Sequence, residues 1–157
     1  MKCTNLLVIL VILLGCIGSA NAQGISENKF SRELEVNLPS DSVYYKTIYF
    51  LQKNGYFILS LDKQSGFIQA KTYTSDNKIF SDRMGDRKIY NFFIFPIRTN
   101  LCQLSISIYI ERSYRRSLSQ GRVYYDLDLG VVGNNEKNSD KLFEPIIDGL
   151  SKEFSFP

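Results

Sequence analysis

LCQLSISIYIER, residues 101–112, is the stretch that decides the fold of this chain. Apolar residues occupy every second position from Cys102 to Ile110, and mostly polar residues stand between them. Because successive side chains of a strand point to opposite faces, this spacing predicts a β-strand with one buried face. Cys102 lies on that face, so we expect a buried thiol that packs as a small hydrophobe rather than a reactive one.

The flanking sequence predicts further strands, separated by polar segments. They cover residues 32–38, 56–61, 67–73, 88–97 and 122–131, with loops at 74–86 and 113–121. The 88–97 segment has apolar residues at both odd- and even-numbered positions, which predicts a strand covered on both faces. In the 122–131 segment the inward residues are expected to be Val123, Tyr125, Leu127, Leu129 and Val131, while Tyr124, Asp126 and Asp128 face outward.

Two helices are expected, one near each end of these strands. The first follows the Ser40-Asp41-Ser42 group, whose oxygens are suited to an N-cap, and ends at Asn54-Gly55, where glycine can adopt the left-handed conformation. The second covers about 139–154. Pro145 falls within it, so this helix either begins later or is kinked in its first turn.

This element order, β-α-β-β-β-β-β-α, predicts an α+β fold. An antiparallel, curved sheet of five to six strands would carry two helices packed on one face, as in helix-grip and TATA-binding-protein-like domains. We expect residues 32–157 to form one such domain, preceded by a polar N-terminal lead at 23–31.

Residues 1–22 have the order of a bacterial secretory signal peptide. Lys2 precedes an apolar run that ends in the small-residue motif Ala20-Asn21-Ala22. Cleavage after that motif would release a soluble protein to the periplasm or cell surface. Alternatively, Leu13-Leu14-Gly15-Cys16 resembles a lipobox, in which a lipidated Cys16 would anchor the domain to the outer membrane; both routes remain open.

The composition excludes several classes of function. The chain has no histidine, which excludes Ser-His-Asp and Cys-His catalysis and histidine-ligated zinc. The net charge is only +3, and loss of Lys2 with the leader lowers it by one, so a nucleic-acid partner is not expected. No cofactor and no metal site is predicted.

The segments YFLQKNGY at 49–56 and DKQSGFI at 62–68 carry a family resemblance. Their helix, glycine, strand, Asp-to-Gly turn and returning strand resemble the opening of the helix-grip domains in the outer-membrane lipoprotein BamC. The same stretch is similar to small exported domains of unknown function from Bacteroidetes. The resemblance implies a non-enzymatic interaction domain of the cell envelope and no catalytic residue.

An arginine-rich rim is the main candidate binding site. In a meander, alternate loops lie at the same end of the sheet, so the 74–86 and 113–121 loops should meet. Guanidinium groups beside aromatic rings suit anionic partners. The residues concerned are Arg83, Arg87, Arg112, Arg115, Arg116, Arg122 and Tyr114. The alternative is a solvated rim whose arginines are neutralised by Asp76, Asp82 and Asp86.

Two further sites are weaker candidates. Asp126 and Asp128 form a D-x-D pair that could hold a cation, but a metal needs more oxygen ligands than this pair supplies, and a solvated strand face is the favoured explanation. A curved sheet gripping a helix could also enclose an apolar cavity for a lipid, unless the core is close-packed.

The sequence thus predicts an exported, non-catalytic cell-envelope domain that acts through protein–protein contacts. The alternative function is a helix-grip carrier of a small apolar ligand or lipid. An exposed sheet edge at Glu33–Leu38 would favour partner binding by strand addition.

Overall fold

The computed structural model describes residues 29–76, 78, 81–134 and 136–155. Its elements are β1 (Arg32–Val36), α1 (Ser40–Lys53), β2 (Phe57–Asp62), β3 (Phe67–Ser75), β4 (Arg83–Arg98), β5 (Leu101–Leu118), β6 (Gly121–Val131) and α2 (Ser139–Ser155). The predicted α+β class and element order are confirmed. The signal peptide, Cys16 and residues 23–28 of the polar lead lie outside the described residues.

The six strands form one antiparallel sheet in the order β1-β5-β4-β3-β2, with β6 also paired to β5. β5 is long enough to take two partners on the same edge. β1 pairs with Cys102–Ile106 and β6 pairs with Tyr109–Leu118. The N–H of Val132 donates to the carbonyl of Ile108 at 2.8 Å, so the end of β6 and the start of β1 follow one another along β5.

The core lies between the two helices and one face of the sheet, which we call the core face. Directly paired residues of an antiparallel sheet share a face, and Ile68, Phe92 and Ile106 are paired in one such row. All three are fully buried. Helix α1 contributes Val43 and Leu51, and α2 contributes residues such as Phe143, Ile146 and Leu150. The opposite face, called the open face, carries no helix in the described part of the chain.

The end of α1 agrees with the prediction and its beginning does not. Gly55 has φ 75°, and the N–H groups of Gly55 and Tyr56 donate to the carbonyls of Gln52 and Leu51. This is a Schellman cap, which needs a left-handed residue at that position. At the other end the N-cap is Pro39, and no side chain caps the helix. Asp41 instead lies in the first turn, where its charge suits the helix dipole.

Helix α2 is continuous through Pro145. The proline is the seventh residue of a helix that begins at Ser139, so neither expectation, a later start or a kink in the first turn, describes where it lies. Pro145 and Lys141, whose carbonyl loses its intrahelical partner, are both exposed. Solvent can therefore satisfy the carbonyl that the proline leaves free.

The strands β4, β5 and β6 are longer than predicted at one end of the sheet. The expected 113–121 loop is strand except for a two-residue turn at 119–120, and β4 begins at Arg83. Cross-strand pairing stabilises extended backbone even where the sequence is polar, as in the SYRRS segment at 113–117. The β5–β6 hairpin therefore extends beyond the part of the sheet that the helices cover.

Candidate binding surface on the β5–β6 hairpin

The β5–β6 hairpin, residues 109–131, has no fully buried residue: residues 109–114 are half-buried and residues 115–120 are exposed. Buried residues of β5 end at Ile108, and every residue of β6 is exposed except Gly130, which is half-buried. The odd-numbered residues Val123, Tyr125 and Leu127 lie on the core face, as predicted, but they are exposed and not buried as inward residues would be. Their alternation is that of a half-buried strand, but no helix reaches the half of β5 with which β6 pairs.

The core face of the hairpin carries an apolar and aromatic patch. Val123, Tyr125 and Leu127 pair there with Arg116, Tyr114 and Arg112, and each is 46–49% exposed. The rings of Tyr114 and Tyr125 stack with centroids 5.3 Å apart and an interplanar angle of 12°. The patch therefore lies on the same face of the sheet as the core, but in the part that the helices do not cover.

Two of the predicted rim arginines are engaged by one buried carboxylate. Arg112 donates from Nε to Asp86 Oδ1 at 2.8 Å and from Nη2 to Oδ2 at 3.2 Å, and Arg83 Nη2 also donates to Oδ2. Burial acts to raise the pKa of Asp86, but the hydrogen bonds and charges of the two guanidinium groups outweigh it and hold the pKa below its usual value. The hydrogen bond to Asp86 in turn raises the pKa of Arg112.

Arg87 is also neutralised, on the open face of the sheet. Its Nη1 donates to Glu111 Oε2 at 2.6 Å and lies 3.9 Å from Asp126 Oδ2. The alternative prediction, that carboxylates neutralise the rim arginines, is therefore correct for Arg83, Arg87 and Arg112, which are three of the six. Asp86 performs it as expected, Asp76 lies 3.6 Å from Arg83 Nε, and Glu111 was not identified from the sequence.

The other three arginines lie near the tip of the hairpin. Arg115, Arg116 and Arg122 are exposed, and among the described residues their side chains have no ion pair or hydrogen bond. The two predicted loops do meet, since the N–H of Arg115 donates to the carbonyl of Asp82 at 2.7 Å. The tip extends past that contact, so its positive charge projects into solvent beside Tyr124, which is 60% exposed.

The D-x-D pair lies on the open face of the hairpin. Asp126 accepts a hydrogen bond from Ser113 Oγ at 2.6 Å, and Asp128 accepts one from the N–H of Gly130 at 2.7 Å. A hydrogen bond with Asp128 raises the pKa of the Tyr109 hydroxyl. Across the described ranges, no group of three or more ligating side chains is arranged to hold a metal ion.

A second exposed aromatic group, which sequence reasoning missed, lies on the open face of the main sheet. Phe67 and Phe93 have ring centroids 4.8 Å apart, and Phe93 stacks on Phe95 at 6.0 Å. Strand β4 is mid-sheet, as predicted, but only one of its faces is covered, since Phe93 is 38% and Phe95 48% exposed. The sequence does show apolar residues at both odd- and even-numbered positions of β4, but we interpreted this pattern as a strand covered on both faces.

The centre of the core holds large apolar side chains, and Phe92, Phe143 and Leu51 are fully buried there. The apolar cavity for a lipid stays a prediction. Cys102 is buried in the same core without a disulfide partner, as predicted, and burial raises the pKa of its thiol.

Comparison with known proteins finds structural similarity at low sequence identity. No protein-family model matches the sequence, and no curated protein matches it. A DUF4468 family protein from Bacteroides ovatus has a similar structure, with a TM-score of 0.44, 13% identity, and coverage of 82% of this chain and 86% of that chain. An uncharacterised protein from Rhizobium leguminosarum has a TM-score of 0.30, 12% identity, and coverage of 79% and 93%.

The resemblance to BamC, and the non-enzymatic role that it implies, stay predictions. In the described part of the chain, no helix is long and apolar enough to cross a membrane.

Proposed function

We propose that this protein is an exported, non-catalytic domain of the cell envelope that acts through protein–protein contacts, with the β5–β6 hairpin as its contact surface. The observation that carries the proposal is the extension of this hairpin beyond the helices, with apolar and aromatic side chains left exposed on it. Contiguous exposed apolar surface of this kind is typical of interaction sites. Export is supported by the signal-peptide pattern of residues 1–22.

The chemistry of the hairpin also suits protein recognition. Tyrosine and arginine are the residues most enriched among those that dominate binding energy at interfaces. The hairpin presents Tyr124 and Tyr125 as anchors, with Arg115, Arg116 and Arg122 beside them. Since these three arginines have no acidic partner within the described residues, an acidic group of a binding partner can pair with them without displacing an existing contact.

Site-specific photo-crosslinking in cells tests this proposal. A photoreactive phenylalanine analogue replaces Tyr124 on the hairpin or, as a matched control, Tyr49 on α1, which is 55% exposed. We expect protein adducts from position 124 and none from position 49. The pair Arg115→Ala/Arg116→Ala should weaken the adducts at 124. Equal adducts at both positions, or adducts unchanged by the arginine substitutions, would contradict the proposed surface.

The intact mass of the mature protein tests the export route separately. The mass of a chain that begins at Gln23 would identify the soluble form. The mass of a chain that begins at a lipidated Cys16 would identify the anchored form. Retention of residues 1–22 would contradict export by either route.

A further inference from the structure

The outer edge of β6 is an open strand edge. β6 is 11 residues long and pairs with β5 on one side, while no described residue pairs with its other side. An unpaired edge presents a row of backbone N–H and C=O groups that can accept another strand. The remaining edge strands, β1 and β2, have only 5 and 6 residues, and the pairing of β2 is interrupted by an irregularity after Ile58.

β6 lacks most of the devices that normally protect such an edge. Its sequence GRVYYDLDLGV contains neither proline nor lysine. The one irregularity of its pairing lies close to its C-terminal end, where Gly130 faces Ile110 and Asp128 faces Glu111. The stretch from Gly121 to Asp128 is therefore regular and accessible along its whole length.

We infer that β6 pairs antiparallel with β6 of a second copy of this chain, about a twofold axis that passes through Tyr125. The charge pattern carries the inference. In this register Arg122 lies opposite Asp128 of the second copy, and Tyr124 lies opposite Asp126, whose carboxylate can accept from the phenol hydroxyl. Twofold symmetry forms each contact twice, as an isologous interface requires.

The two faces of the joined sheet are complementary as well. Arg122, Tyr124, Asp126 and Asp128 all lie on the open face, because they pair with or stand beside the odd-numbered residues of β5. On the core face, Val123 meets Leu127 of the second copy and Tyr125 meets its own equivalent. Cross-strand aromatic and aliphatic pairs stabilise sheets, so the join places apolar side chains of the second copy beside the patch that the helices leave exposed.

Charge selects this register over its neighbours. An axis through Asp126 would place the two Asp126 carboxylates opposite each other, and an axis through Leu127 would face Asp126 with Asp128. Like charges directly opposite destabilise a sheet. An axis through Tyr124 pairs Arg122 with Asp126 but shortens the overlap and places Asp128 opposite the turn at 119–120 of the second copy.

This inference rests on the proposed function, because it names a partner for the same hairpin. Sedimentation velocity of the mature protein tests it. We expect a concentration-dependent dimer, weakened about tenfold by Arg122→Asp or by Asp128→Arg, since each places like charges opposite in two symmetric positions. The double variant Arg122→Asp/Asp128→Arg restores opposite charges and should recover the dimer.

Two controls make the result specific. Arg98→Asp makes the same charge change at the end of β4, outside the β5–β6 hairpin, and should leave the dimer intact. Tyr125→Cys should form an intermolecular disulfide on mild oxidation, because position 125 lies opposite itself, while Tyr124→Cys should react more slowly. Circular dichroism confirms that each variant is folded.

The outcomes separate this inference from the proposed function. A protein that stays monomeric but gives adducts with another protein at position 124 would overturn the self-pairing and leave the proposed function standing. A dimer that the double charge variant does not restore would overturn the register. A restored dimer with fastest disulfide formation at position 125 would support both the partner and the register.

Discussion

The turn between β2 and β3 offers a sharp test of the packing at Gly66. Gly66 has φ +71°, and a Cβ built on it would lie 2.4 Å from the carbonyl oxygen of Ile94. The two backbones are held together there, since the N–H of Ile94 donates to the carbonyl of Gly66 at 3.0 Å. Replacing Gly66 with alanine therefore adds left-handed strain and a clash with backbone that cannot rotate away.

The magnitude follows from those two contributions. A left-handed alanine costs about 1–2 kcal/mol, and relieving the overlap by moving the backbone costs about 1–3 kcal/mol more. Gly55→Ala is the matched control, because Gly55 has nearly the same φ, +75°, and nothing within 4 Å of its Cβ position. We expect Gly66→Ala to lower the free energy of unfolding by about 2–5 kcal/mol, and Gly55→Ala by about 1–2 kcal/mol.

Urea denaturation followed by circular dichroism measures both variants against the unmodified protein. The midpoint should fall further for Gly66→Ala, with the slope unchanged. Equal losses for the two alanines would show that the contact between Gly66 and Ile94 is not as close as the structure places it, and would refute the reasoning.

Four further predictions concern the core, the hairpin and the arginine–carboxylate cluster. In urea denaturation at concentrations where the protein is monomeric, Leu127→Ser should change the free energy of unfolding by less than about 0.5 kcal/mol because the side chain is exposed. Leu104→Ala should lower it by about 2–5 kcal/mol because the side chain is fully buried. Cys102 should resist iodoacetamide, followed by mass spectrometry, until the protein unfolds; rapid labelling of folded protein would contradict its burial. Asp86→Asn should lower the free energy of unfolding by about 1–2 kcal/mol at neutral pH, because two partly exposed arginines lose their carboxylate. The pKa of Asp86 is lowered in the folded protein, so its contribution to the free energy of unfolding is complete above about pH 4 and is lost as the pH falls further. The free energy of unfolding of Asp86→Asn should therefore depend less on acid pH than that of the unmodified protein, as unfolding curves at several pH values would show.

Local patterns account for the elements that the sequence predicted well. The alternation from Cys102 to Ile108 repeats over enough residues to identify a half-buried strand, and all the even-numbered positions are indeed buried. The end of α1 was predictable because Gly55 can take a conformation that other residues adopt only with strain. In each case the physical cause lies within a few residues of the chain.

The candidate site was only partly predictable. Arginines near two loops at one end of a meander were expected to converge, and Arg112 and Arg83 do converge on Asp86. Which guanidinium groups are neutralised depends on cross-strand register, which places Glu111 opposite Arg87 but places Tyr124 opposite Arg115, whose side chain has no ion pair among the described residues. Register results from the pairing of whole strands, so the sequence of one strand does not determine which residues lie opposite its arginines.

The sequence by itself determined the fold class, the order of the elements and the chemistry that is absent. Periodicity and turn residues act over short distances, and a chain without histidine has no imidazole wherever it folds. The tertiary structure alone decided which apolar faces are covered. β6 has the alternation of a buried strand, but it pairs with the half of β5 that the helices do not reach, so its apolar face lies in solvent. Burial depends on what packs against a strand, and only the assembled sheet and helices establish that.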